Sequence, residues 1–249
     1  MKKTSFAISC LAMITLMAVW PAVSALTTTN QNSVNWSGYI ATAPTPFTSV
    51  SATWTVPSVT GSTTAFSSAW VGIGGVYRNS NKLIQAGTEQ DIISGTPVYT
   101  VWYEVYPKPP VTVGTISSGD SVTVSISENS GNPPSWHIKI TAVNDNNEPI
   151  VSLSQDIDVK AKTNFAAEAT AEFIVERPLL VVGHQIAPLA EFSSVTFSGC
   201  TTSQDGLSSL DQALAVTMTS DGTSTGTTLA SPDNSLSGDS FTISWNAAS

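Results

Sequence analysis

Two short segments set carboxylates at alternating positions. Residues 171–176 read AEFIVE. On an extended strand Glu172, Ile174 and Glu176 point to one side, and Phe173 and Val175 to the other. Residues 100–106 read TVWYEVY. There Trp102, Glu104 and Tyr106 share one side, while Val101, Tyr103 and Val105 share the opposite, apolar one. Positioned carboxylates move protons in hydrolysis, and flat aromatic rings beside them would wall a groove for a polymer chain. Acids of this kind also occur as solvated positions on the outer face of a sheet. Alternation alone leaves both readings open.

Other hydrolytic signatures are missing from the 249 residues. The G-x-S-x-G letters occur once, at residues 222–226 (GTSTG), inside the Ser/Thr/Gly-rich stretch 219–240 rather than between a strand and a helix, so they make no nucleophile elbow. There is no H-E-x-x-H pair, no Cys/His cluster and no phosphate-binding loop. The two histidines, His137 and His184, lie in no supporting motif. No metal and no cofactor are expected.

The elements that must carry these acids read as strands throughout. Period-2 alternation recurs between Ser, Thr, Gly and Pro punctuation. Residues 121–127 (SVTVSIS) put Val122, Val124 and Ile126 on one face, and residues 136–143 (WHIKITAV) do the same with Trp136, Ile138 and Ile140. Residues 151–159, 195–198 and 241–245 alternate similarly, and Gly119-Asp120 and residues 144–147 are expected to turn. Leu207, Leu210 and Leu214 have helical spacing, but residues 213–218 fit a strand equally well. Residues 219–240 read as a loose hairpin rather than a linker. The expected fold is all-β: a single-domain antiparallel β-sandwich of the jelly-roll or lectin-like kind.

Composition limits the partners. Charged residues make up 11% of the chain, against about 25% in an ordinary soluble domain. Nine Lys and Arg face 18 Asp and Glu, for a net charge of −9. Nine scattered cations cannot form a nucleic-acid patch. Polarity comes instead from 36 Ser and 32 Thr. Neutral hydroxyls keep their hydrogen bonds in acid, and few ion pairs are exposed to protonation, so tolerance of low pH is expected.

The N-terminus has the form of a secretory signal. Met1-Lys2-Lys3 is followed by an apolar run from Phe6 to Val19 and by the small residues of Val23-Ser24-Ala25. Residues 1–25 are predicted to be removed, leaving residues 26–249 as the mature β-sandwich domain, secreted and free of the membrane. Lys-Lys signals of this kind suit a bacterial protein. Cleavage leaves Cys200 as the one cysteine, expected to be a buried apolar residue without a disulfide.

Five ordered segments then carry a family resemblance. They are residues 35–39 (NWSGY), 52–57 (ATWTVP), 69–74 (AWVGIG) with 83–87 (LIQAG), 102–107 (WYEVYP) and 171–176 (AEFIVE). Together they resemble the glutamic peptidases, or eqolisins, over essentially the whole mature chain. The resemblance implies two antiparallel sheets with a concave substrate groove, and a pepstatin-insensitive endopeptidase that acts in acid on polypeptides, as a monomer. It implies a catalytic pair, Gln85 and Glu172. It also implies that Trp36, Gly38, Trp102, Glu104 and Tyr106 line the groove, with Trp70 nearby. Glu104 and Glu176 are expected to bond Glu172 or to raise its pKa. The chain departs from the family pattern at Gly74 and Thr100, where an Asp is usual, and at Phe173, where a Trp is usual. It also has no sizeable pro-segment before the first motif.

Two other functions fit the same acids. Glu104 and Glu172 would serve a retaining glycosidase if their carboxyls lay about 5–5.5 Å apart. A sandwich that keeps its groove without turnover would be a sugar- or peptide-binding module.

Overall fold

The computed structural model describes residues 31–76, 83–130, 135–157, 170–180, 185–207, 213–233 and 236–249. The expected signal peptide, His184 and Leu210 lie outside these residues. Among the described residues there is no α-helix, and none therefore long and apolar enough to cross a membrane.

One continuous sheet folds into two facing halves. The first runs, in spatial order, β11 (Pro149–Ile157), β10 (Ser135–Val143), β9 (Ser121–Asn129), β3 (Ser49–Thr55), β16 (Val195–Thr202) and β19 (Phe241–Trp245). Through β18 (Thr228–Pro232) it passes to the second half. That half is β17 (Ala213–Thr219), β2 (Trp36–Thr42), β12 (Thr170–Glu176), β5 (Ser68–Gly74), β6 (Leu83–Ile93), β7 (Thr96–Val105) and β8 (Val111–Thr115). All neighbours along this path are antiparallel; β1 (Gln31–Ser33) joins β17 in parallel. Two short pairs lie apart, β13 (Leu179–Leu180) with β14 (Gln185–Ile186), and β4 (Val59–Thr60) with β15 (Glu191–Phe192). The ends of the sheet approach each other: a Cβ on Gly114 of β8 would stand 3.0 Å from Val151 of β11.

The inner faces form the main core. Alternation dictates its members: Val122, Val124 and Ile126 from β9, Trp136, Ile138 and Ile140 from β10, and Phe173 and Val175 from β12 are all buried there. Phe197 stacks on Phe241 at 5.3 Å, and Trp54 and Tyr39 close the aromatic group at 5.2 and 4.7 Å. Each such ring removed from water contributes about 2–3 kcal/mol. Cys200 is buried in this core as a free thiol, pushed up to about 12 by burial and the Asp239 carboxyl, and is not a nucleophile.

The outer face of the second half is the surprise of the fold. It carries its own apolar cluster, with Trp36, Ile40, Trp70, Leu83, Trp102, Ile174 and Val216 all buried. The strands β2, β5 and β12 are therefore buried on both sides, and the acids between them are not solvated positions. Glu172 and Glu176 are both 0% exposed.

Candidate active site

Strand register assembles the site in rows across the second half of the sheet. In one row Glu172 of β12 is paired with Gly72 of β5, Gly72 with Gln85 of β6, and Gln85 with Glu104 of β7. On the other side Glu172 is paired with Ile40 of β2. The two residues of the expected catalytic pair are thus two strand spacings apart, about 9–10 Å between Cα atoms. The position between them has no side chain. Glu and Gln side chains leaning inward over Gly72 can reach one small group between them.

The next row accounts for the shape of this floor in packing terms. Ile174 lies between Gly38 and Trp70, and Gly87 lies between Trp70 and Trp102. A Cβ on Gly87 would stand 2.6 Å from Trp70 Cβ. Gly38 has φ of +144°, and its Cβ would fall 2.1 Å from the Phe173 carbonyl oxygen. Both glycines are demanded by close backbone approach and by the bulk of the rings beside them. Trp36, Trp70 and Trp102 are buried, with Trp36 edge-on to Trp70 at 5.2 Å; Tyr106 is half-buried.

The acids have separate partners, contrary to the expectation that they act on Glu172. Gln85 Nε2 donates to Glu104 Oε2 at 2.6 Å. Glu176 neither pairs with Arg177 nor reaches solvent. Its Oε2 accepts from the Trp70 indole at 2.9 Å, and its Oε1 from Asn35 Nδ2 at 3.1 Å. The Arg177 side chain instead donates through Nε to the Val34 carbonyl at 2.7 Å. Asn35 escaped the sequence reading as a site residue, although an amide opening the N-W-S-G-Y segment beside buried rings is a signal for a buried acceptor. Its own Oδ1 accepts from Ser33 Oγ at 3.1 Å, which fixes its orientation.

Four acceptors in the central row have no hydrogen-bond donor: Glu172 Oε1, Glu172 Oε2, Gln85 Oε1 and Glu104 Oε1. Burial carries Glu172 well above the ordinary carboxyl range, with the Thr170 hydroxyl pulling the other way. Burial likewise raises Glu104 to about 7, against the pull of the Gln85 amide, and Glu176 to about 8, against the donors around it. Thr100 Oγ1, where the family pattern has an acid, donates to Glu89 Oε2 of the adjacent strand at 3.1 Å. Among the described residues no group of His, Cys, Asp and Glu is disposed to hold a metal ion.

The register also separates the two acids of the glycosidase pairing. Glu104 and Glu172 are three strand spacings apart, about 14 Å between Cα atoms, and Gln85 stands between them.

Comparison with known proteins agrees with this arrangement. The profile described as the Peptidase A4 family matches residues 34–245. Scytalidopepsin B of Scytalidium lignicola is 31% identical over 194 residues, 72% of this chain and 67% of that protein. The crystal structure of scytalido-glutamic peptidase with a transition state analog inhibitor superposes with a TM-score of 0.67 at 28% identity, over 86% of this chain and 98% of that one. SCP-B, an eqolisin solved with the tripeptide Ala-Ile-His, superposes with a TM-score of 0.63 at 28% identity and the same coverage. The named organism is a fungus, which lends no support to a bacterial source. Because the match takes in every strand of the Glu172–Gly72–Gln85–Glu104 row and a protein caught with a peptidase inhibitor, the chain belongs to the Peptidase A4, or eqolisin, family of glutamic-type endopeptidases.

Proposed function

We propose that the chain is a secreted, acid-active and pepstatin-insensitive endopeptidase whose catalytic pair is Glu172 and Gln85. The observation that carries this reading is the central row: a buried acid and a buried amide flank a glycine, and all three free acceptors of the pair are unsatisfied. A water molecule has two protons to give, one to Glu172 and one to Gln85 Oε1, and its oxygen lone pair then faces a peptide carbonyl.

In the reaction the water oxygen bonds to the carbonyl carbon and its proton passes to the Glu172 carboxylate. The carbonyl oxygen takes up the negative charge and accepts the second N–H of Gln85 Nε2. Glu172 then gives its proton to the amide nitrogen, the C–N bond breaks, and a carboxylic acid and an amine leave. Gln85 does not titrate, so its donor role survives in acid where an imidazole base is already protonated. The same water and the substrate amide supply the hydrogen bonds that Glu172 lacks, which lowers its pKa toward the carboxylate form that the first step uses. The trimmed N-terminus and export follow from the signal-like residues 1–25.

The test is digestion of denatured casein or haemoglobin by the mature protein in acid, with and without pepstatin. Glu172→Gln is expected to lose about 10³-fold or more in kcat, and Gln85→Ala about 10²–10³-fold. A wild-type protein that releases no peptides, or a fully active Glu172→Gln, would overturn the assignment.

A further inference from the structure

Gln85 and Glu104 face each other directly across β6 and β7, and both are buried. One hydrogen bond joins them, from Gln85 Nε2 to Glu104 Oε2 at 2.6 Å. The other two atoms of the pair, Gln85 Oε1 and Glu104 Oε1, have no partner. With Glu104 ionised both atoms are acceptors only, and neither can satisfy the other. With a proton on Glu104 Oε1, the acid O–H donates to Gln85 Oε1 and closes a ring of two hydrogen bonds. We propose that Glu104 is a positioning residue that, as the neutral acid, clamps the Gln85 amide at both ends and leaves its second N–H aimed at the space over Gly72. The catalytic consequence rests on the peptidase reading above; the clamp itself does not.

The surroundings favour the neutral form. The titratable groups sharing this face are Glu172 and Glu176 from β12, Glu89 and Asp91 from β6 and Tyr106 just past the end of β7; β5 and β8 bring none. Burial and the Glu89 charge raise Glu104 to about 7, against the Gln85 hydrogen bond. Below that pH the clamp is closed. Above it a carboxylate lies beside the donor that must receive an oxyanion, and formation of the tetrahedral intermediate is disfavoured.

The experiment combines kinetics with side-chain amide NMR on the mature protein. Glu104→Ala is expected to lower kcat about 10²-fold with KM changed less than about 3-fold. Glu104→Gln, whose amide can both donate to and accept from Gln85 at any pH, is expected to recover most of that loss and to abolish the fall in kcat through pH 7. The Gln85 NH2 resonances, identified by their loss in Gln85→Ala, are expected to titrate with a midpoint near 7 in the wild type and to stay flat in Glu104→Gln. Resonances that stay flat in the wild type overturn the clamp whether or not peptides are cut. A KM increase with kcat spared in Glu104→Ala also overturns it, since Glu104 then contacts substrate. A titrating Gln85 amide in a protein that cuts no peptide overturns the peptidase reading and leaves the clamp standing.

Discussion

Glu176 accepts the Trp70 indole N–H at 2.9 Å while both side chains are fully buried on the face that carries Glu172. The bond ties β12 to β5 one turn of the pleat beyond the catalytic row, where Ile174 and Trp70 are paired. Trp70→Phe removes the donor, strands a buried carboxyl oxygen and leaves part of the indole volume empty. A loss of about 2–4 kcal/mol in unfolding free energy is expected by chemical denaturation. A loss no larger than an exposed substitution gives would show that this bond does not hold the floor together.

The raised carboxyls make the fold more stable in acid than at neutral pH. A carboxyl whose pKa is higher folded than unfolded contributes its full share below the unfolded value, near 4.5, and loses it as pH climbs through the folded value. Glu104, at about 7, and Glu176, at about 8, do this, and Glu172 and Asp91 are shifted in the same direction. At about 1.4 kcal/mol per pH unit the first two are worth a few kcal/mol each. Asp156, held low by His137 and Asn129, acts in the opposite sense, but it is exposed and weak. The melting temperature of Glu172→Gln, chosen to prevent self-digestion, is expected to fall by roughly 10 °C between pH 5 and pH 8. A flat or rising midpoint over that interval would contradict the buried-acid account.

Gly72 separates the catalytic pair, and a side chain there enters the space that the reaction needs. An added Cβ would stand 3.0 Å from the Ile84 carbonyl oxygen, 3.0 Å from Trp70 Cζ3 and 3.1 Å from Leu83 Cδ1. Those contacts are tight and can be relieved by small shifts, at a cost of about 1–3 kcal/mol. Gly72→Ala is expected to remain folded and to lose more than about 10-fold in kcat, because displaced reacting groups are costly. Unchanged kcat in a folded Gly72→Ala protein would place the reacting water elsewhere.

Alternation gives the faces of the strands it identifies, but not β5 and β6, whose site residues are buried on both sides. The segment 241–245 is β19, residues 121–127 lie in β9, and Glu172, Glu104 and the rings beside them share a face as their spacing requires. Alternation says nothing of lateral neighbours. That β6 lies between β5 and β7 gives Glu104 to Gln85 rather than to Glu172, and this is a property of the whole sheet order. The burial of the acid face was partly legible. Ile174 between two glutamates, and Trp70 and Trp102 on the same side as those acids, are apolar bulk on the supposed polar face, the pattern of strands covered on both sides.

Glu172, Gly72, Gln85 and Glu104 come from four strands and from segments separated by as many as 100 residues, yet they meet along a single line of backbone pairing. Because strand faces alternate, sliding β12 by one residue would bring Phe173 into that line and bury Glu172 in the hydrophobic interior. Such a chain keeps most of its sheet and has no catalytic acid. Turnover per mole of folded protein is therefore a vernier for assembly, reading a single-residue error in strand alignment that circular dichroism or size-exclusion chromatography would miss.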